Sequence, residues 1–241
     1  PNPEMATKGY RIEILEALLI TPMRRLSTDL ALDLEKRMIT NGKQINYNFK
    51  RVEIKKLVIG RGRGSYMTEG IASGSRVPER VLCLLMDDSR WEGEYNTNPL
   101  QSKARCASYE VSDMFFTLDS IPVQQLGPLN GGQDPDNFTR TAFEQLQRVM
   151  AGDDNPYGLD MHYDEFINGS FIYAVDLIRP RRAHNNVTWH KVKQGSLRLD
   201  VKFAPQGHPK HNVNLFVLCE YPTGVTIHKD RKVVYHYVKD I

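Results

Sequence analysis

The chain of 241 residues is 40% hydrophobic and 25% charged, which suits a globular protein able to close its own core and excludes an intrinsically disordered one. Its 32 Lys and Arg against 29 Asp and Glu leave a formal net charge of +3, far from the basic balance that argues by itself for nucleic acid. No apolar run reaches the roughly 18 residues of a membrane span; the longest candidate, around 17–20, is preceded by Glu13 and Glu16. Cys83, Cys106 and Cys219 are odd in number and widely spaced, the pattern of a reducing compartment or a viral particle rather than of a secreted disulfide framework. The opening Pro1, Asn2, Pro3 shows neither an initiator Met nor a charged-then-apolar leader, as expected of a processed product or an excised fragment.

Period-two alternation dominates the chain, and in a strand every second side chain reaches the same face. Tyr10, Ile12 and Ile14 alternate with Arg11 and Glu13 and predict a first strand. Leu30, Leu34 and Met38 then recur every four residues behind Ser27, a good N-cap, and ahead of Asn41 and Gly42, so a helix is expected over about 27–41. Ile45, Tyr47 and Phe49 resume the strand pattern, and a switch of parity to Val52 and Ile54 implies a bulge or bend near Lys50. Residues 60–76, with Gly60, Gly62, Gly64, Gly70 and Gly74, read as a long loop. Strands follow at Val81 to Met86 and around Tyr109 to Phe116, then a second long loop at 120–134 carrying Pro122, Pro128, Gly131 and Gly132. Phe138, Ala142, Leu146, Val149 and Met150 predict a helix over about 136–151, between Pro135 and Gly152. Further strands are expected at Phe171 to Ile178, at Leu197 to Phe203, at Val213 to Tyr221 and at Val233 to Val238. Strands interrupted by two isolated helices describe a mainly β protein: a jelly-roll β-sandwich with two inserted helices, in a single domain over 1–241.

Chemistry-bearing patterns are sparse. The run Gly60, Arg61, Gly62, Arg63, Gly64 is followed by no Lys-Ser or Lys-Thr pair and no helix pattern, so a flexible loop is expected rather than a phosphate cradle. His184 and His190 are six apart, His208 and His211 three apart across Pro209, and neither spacing matches a ligand set; no metal and no cofactor are expected. Ser73, Gly74 and Ser75 form no nucleophile elbow. The neighbouring pairs Asp87 and Asp88, and Asp153 and Asp154, read as solvated turn residues, because adjacent strand carboxylates face opposite ways. No catalytic residue is assigned, and an enzyme is not expected. Arg179, Arg181 and Arg182 read as a solvated loop without the aromatic interleaving of a nucleic-acid surface. The sequons headed by Asn137, Asn168 and Asn186 carry no weight without a secretory route.

A family resemblance is carried by the C-terminal third. Tyr173, Ala174, Val175, Asp176, Leu177, then the unbroken run Lys193 to Phe203, then Val213 and Asn214 with Cys219, Glu220 and Tyr221, and finally Ile227 to Val234 resemble, in order and spacing, the capsid-like proteins of Polinton (Maverick) elements and related adintovirus-like sequences. Upstream, Pro78, Glu79, Arg80 and Val81, the run Tyr95 to Pro99, and an amino-terminal strand followed by Pro22 and a helix are similar too, so the likeness spans about 9–238. Departures are Arg179, Pro180, Arg181 and Arg182, where relatives tend to be acidic, and His208 with Pro209 in a turn.

The resemblance implies a double jelly-roll major capsid protein of the adenovirus and tailless phage lineage, this chain corresponding to the C-terminal of the two sandwiches. It implies a homotrimeric capsomer completed by an amino-terminal jelly-roll half, with neighbouring capsomers and penton or minor capsid proteins as partners. The place implied is the virion, with assembly inside the host cell in the nucleus, and no sequence-specific nucleic-acid contact. The alternatives are a carbohydrate- or receptor-binding sandwich, a host-adopted capsid-like protein, and a host-adopted partner of a nuclease or hydrolase.

Overall fold

The alternation at 197–203 predicts one buried face, and in the computed structural model Leu197, Leu199, Val201 and Phe203 are all at most 5% exposed. The structure describes residues 13–22, 25–40, 45–72, 76–88, 106–123, 135–151, 158–177, 194–205, 209–228, 230 and 232–235. In chain order the elements are α1 (Thr28–Thr40), β1 (Ile45–Ile59), β2 (Ser65–Ala72), β3 (Arg80–Asp87), β4 (Val111–Leu118), β5 (Ile121–Pro122), α2 (Pro135–Met150), α3 (Tyr163–Ile167), β6 (Tyr173–Asp176), β7 (Leu197–Phe203), β8 (Val213–Ile227) and β9 (Val233–Tyr235).

Strands β1 to β8 form two sheets, ordered β1-β8-β3-β6 and β2-β7-β4-β5, with β9 added to the end of β8. That order is the wrapped double Greek key of a jelly roll, so the fold expected from the alternation is the one observed. The chain divides into two compact units, one of residues 1–46 with Val225–Tyr235 and the other of Tyr47–Gly224 with the last residues. The larger contains the sandwich core. Register fixes which side chains enter it: Val81, Cys83 and Leu85 of β3 lie opposite Cys219, Val217 and Leu215 of β8, and Met114, Phe116 and Leu118 of β4 opposite Val201, Leu199 and Leu197 of β7. All except the half-buried Leu118 are at most 1% exposed.

Strand β5 has two residues, too few to cover the flank of β4, and α2 packs there against both β6 and β4. Its apolar stripe, Phe138, Ala142, Leu146 and Val149, is buried as the spacing predicts. Aromatic rings run from the sandwich into this layer: Phe116 stacks on Tyr173 at 6.3 Å, Tyr173 meets Phe138 at 5.8 Å, and Phe138 meets Phe171 at 6.3 Å. Phe171 then meets Phe166 of α3 at 5.3 Å, Phe166 meets Phe143 at 5.3 Å, and Phe143 meets Tyr163 edge-on at 5.4 Å. Such tilted and edge-on contacts add to the large area each ring buries. The buried Gln145 donates from Nε2 to the Ala174 carbonyl at 2.6 Å, satisfying a backbone acceptor of the edge strand β6. Gln147 accepts from the Leu159 amide at 2.8 Å, and Gly158, at φ +77°, lies so close that a Cβ there would fall 2.6 Å from the Gln147 carbonyl oxygen.

Several expectations change. The segment 60–76, read as a loop, contains strand β2, because Tyr66 and Thr68 pair with Val201 and Leu199 of β7; the high Gly content masks a regular register. The four-residue spacing around Phe166 was too short to signal α3. Ile14 lies in no strand, while Tyr10, Arg11 and Ile12 fall outside the described residues. Strand β1 runs as one element through Lys50, and its burial changes parity there, Lys50 and Arg51 being half-buried in succession. The helix expected over 27–41 begins as predicted, with Ser27 Oγ accepting from the Leu30 amide at 3.4 Å, but Leu30 is 47% exposed. The tight β4–β5 turn carries no Asn-Gly signal, its left-handed residues being Asp119 and Ser120, at φ +48° and +68°. The last strand ends at Tyr235, and 236–238 lie outside the described residues.

Two outcomes test this packing. Leu199→Asp should abolish folding, since an unpaired charge in the core costs several kcal/mol, comparable to total stability, whereas Arg198→Ala should cost about 1 kcal/mol by uncovering its partner Asp200; circular dichroism and urea melts read both. Burial raises the Cys83 thiol well above its ordinary pKa and pushes Cys219 up to about 11, and it also raises half-buried Cys106. A thiol-disulfide reagent at mildly alkaline pH should therefore leave Cys83 and Cys219 unlabelled in the folded protein and label all three cysteines in denaturant.

Candidate assembly surface

The sequence candidates resolve mostly into structural roles. In the Gly60 to Gly64 turn the Gly62 amide donates to the Pro209 carbonyl at 2.9 Å and the Arg61 amide to Asn212 Oδ1 at 3.1 Å, so two of the amides that would cradle an anion are engaged. Asp88 Oδ1 accepts from Asn214 Nδ2 at 2.7 Å and lies 4.0 Å from Lys56 Nζ. Among the described residues no group of three or more His, Cys, Asp or Glu side chains is placed to hold a metal. Asn137 lies in α2 and Asn168 closes α3. His184, His190, His208, Ser73, Gly74, Ser75, Asp153, Asp154, Asn186 and the Arg179, Arg181, Arg182 cluster lie outside the described residues, while His211 is exposed.

What the fold does build is a contrast between the outer faces of its two sheets. On the second sheet the outward positions of β7 carry charges that pair along the strand and, at Lys202, with Asp113 in register on β4. Asp200 accepts from Arg198 through two bonds of 2.9 and 2.8 Å. Lys202 Nζ lies 3.8 Å from Asp113 and 5.5 Å over the Phe115 ring. These pairs neutralise the charge of the face, which also carries Met67 of β2, 54% exposed and in register with Asp200.

The first sheet is different. Register places Leu82, Leu84 and Met86 of β3 opposite Leu218, Phe216 and Asn214 of β8 on its outer side, and beside them β1 exposes Val52 by 50%, Ile54 by 64% and Val58 by 50%. The exposure of this face is carried by β1, since on β8 Phe216 is 8% exposed and Asn214 fully buried, and Leu82, Leu84 and Met86 of β3 are half-buried. The sequence pattern at Val52 and Ile54 leaves their face open, since alternation is the same whichever face is buried. The structure turns them outward and turns Arg51, Glu53 and Lys55 towards the corner with β2. There Arg51 pairs with Glu53 at 2.6 Å and lies 5.4 Å over the Tyr221 ring, and Lys55 donates to the carbonyls of Gly70 and Ile71 at 3.1 and 2.6 Å.

A charged cluster closes one end of the apolar face. Arg80 donates from Nε and Nη2 to the two carboxylate oxygens of Glu220 at 2.9 and 2.8 Å, and from Nη1 to the Val149 carbonyl in the last turn of α2 at 3.5 Å, a position where a cation also complements the helix dipole. Lys50 Nζ approaches Glu79 to 3.7 Å. Burial holds the Lys50 ammonium below its ordinary pKa, against the opposing pull of Glu79 and Glu220. The sequence shows these residues only as scattered charges, because Arg80 and Glu220 are 140 residues apart.

No family model matches the sequence, and no curated protein sequence matches it. Among solved structures the chain is similar to a chain of the Sputnik virophage, at 8% identity and TM-score 0.49, over 81% of this chain and 40% of that one. It is similar to the mavirus major capsid protein at 10% identity and TM-score 0.40, over 82% of this chain and 42% of that one. It is also similar to a chain in the structure of PBCV-1 VP54 fitted into a reconstruction of Sputnik, at 8% identity and TM-score 0.47, over 89% and 55%. The chain thus spans about half the length of these proteins or less.

The Arg80 cluster yields a direct test. Arg80→Ala should destabilise the protein by about 3 kcal/mol in urea titrations, because it strands the buried carboxylate of Glu220, and Arg80→Lys should recover less than half, since a lysine cannot make the paired contact.

Proposed function

We propose that this chain is a structural subunit of a virus-type capsid and that it acts by self-assembly. The observation that carries this reading is the edge strand β1 of the jelly roll, whose outward Val52, Ile54 and Val58 stay 50–64% exposed. Apolar side chains held out of the core on an edge strand suit a subunit that buries that flank against a neighbour. The family resemblance of the C-terminal strands supports the finer reading: one jelly-roll domain, the C-terminal of two, in a homotrimeric capsomer with an amino-terminal jelly-roll half. Neighbouring capsomers and penton or minor capsid proteins are then its further partners, and the virion its place. On this reading its surfaces do the work, without catalysis or a cofactor.

Sedimentation of the chain over a range of concentrations, alone and together with an amino-terminal jelly-roll half, tests it. Association to trimers or larger closed species is expected. A monomer in both settings, with saturable binding on a glycan array, would replace the capsid reading with a carbohydrate-binding one.

A further inference from the structure

The residues 13–22 ahead of α1 belong to no helix or strand, and Ile14, Leu15, Leu18, Leu19 and Ile20 are 74–92% exposed. Five large apolar side chains within ten residues have much to gain from burial. The segment also carries Glu13 and Glu16 at its start and no basic residue.

The apolar outer side of β1 has complementary properties. Val52, Ile54 and Val58 face outward, Lys56 lies among them, and the turn that follows β1 exposes Arg61 and Arg63. The lengths agree as well: ten extended residues span about 33 Å, and the exposed stretch from Tyr47 to Val58 about 40 Å. Strand β1 ends the order of its sheet, and an edge strand offers unpaired backbone groups to an added extended segment. Three outward apolar side chains on β1 fall well short of the ~800 Å² per partner of a stable interface, so the face needs a second contact element, and an exchanged arm supplies one.

We infer that residues 13–22 of one copy lie along the β1 edge and outer face of a second copy, antiparallel to β1, with Glu13 and Glu16 at the Arg61 and Arg63 end. The inference rests on the self-assembly reading and names its contact. Because the arm and its docking face are different surfaces, a reciprocal exchange gives a two-fold dimer and a one-way exchange gives a ring where the rotation between copies closes.

Complementation between two variants of the full chain tests it by sedimentation. Leu15→Lys/Leu19→Lys spoils the arm and keeps the face; Val52→Lys/Ile54→Lys spoils the face and keeps the arm. All four residues are exposed, so both variants should keep the parent's circular dichroism and melting temperature. Each alone should associate about tenfold more weakly or worse, and an equal mixture should form a one-to-one heterodimer through the one intact arm and the one intact face. An excess of the peptide 13–22 should block association of the unaltered chain, a readout that needs no variant to fold. Undiminished association of both variants, or a peptide without effect, would overturn the arm contact and leave the capsid reading in place. Weakened variants whose mixture stays monomeric would show the arm covering its own chain. A monomeric parent at every concentration would overturn both.

Discussion

Closure of the β4–β6 side of the sandwich by α2 is the constraint on which the rest depends. A jelly roll with a two-residue β5 leaves the flank of β4 and the edge of β6 open, and open edges both lose core burial and invite unwanted pairing. The rings from Phe116 through Tyr173, Phe138, Phe171 and Phe166 to Phe143 fill that side with rigid apolar volume, while Gln145 satisfies the carbonyl of Ala174 that a fuller strand would otherwise meet. Arg80 then ties the last turn of the helix to Glu220 in the middle of the first sheet. Helix, edge and sheet are held as one body.

The opposite side, where β1 meets β2, is closed by different chemistry. Arg51, Glu53 and Lys55 occupy the inward positions of β1 and neutralise one another, cap an aromatic ring or bind backbone carbonyls of β2. Placing the long amphipathic side chains at this corner frees the alternate positions of β1 to be apolar. Since those positions point away from the core, the apolar surface of β1 adds nothing to the fold of the single chain. The assembly proposed above would cover that surface and relieve its cost in water.

The ionic lattice on the second sheet serves the opposite end. Arg198 with Asp200 and Lys202 with Asp113 sit on neighbouring or alternate positions of paired strands, where they hold a regular face polar without a net field.

The core faces of β3, β4, β7 and β8 were legible in the sequence, because alternation over seven or more residues with β-branched and aromatic side chains is a local property of the chain, and so was the stripe of α2. Those elements implied a jelly roll and two inserted helices. Strand β2 was hidden by glycines whose tolerance of many conformations hides a regular register, and α3 was too short to show a period. The outward turn of Val52 and Ile54 could not be read locally at all, since a one-residue shift of parity exchanges the two faces of a strand without altering its pattern. Nor could the pairing of Arg80 with Glu220, the stacking of Phe116 on Tyr173, or the engagement of the Gly60 to Gly64 turn by Pro209 and Asn212. The sequence by itself determined most of the strands and which of their sides are apolar; only the tertiary structure decided which apolar side meets the core and which meets solvent, because that choice depends on partners far away in the chain.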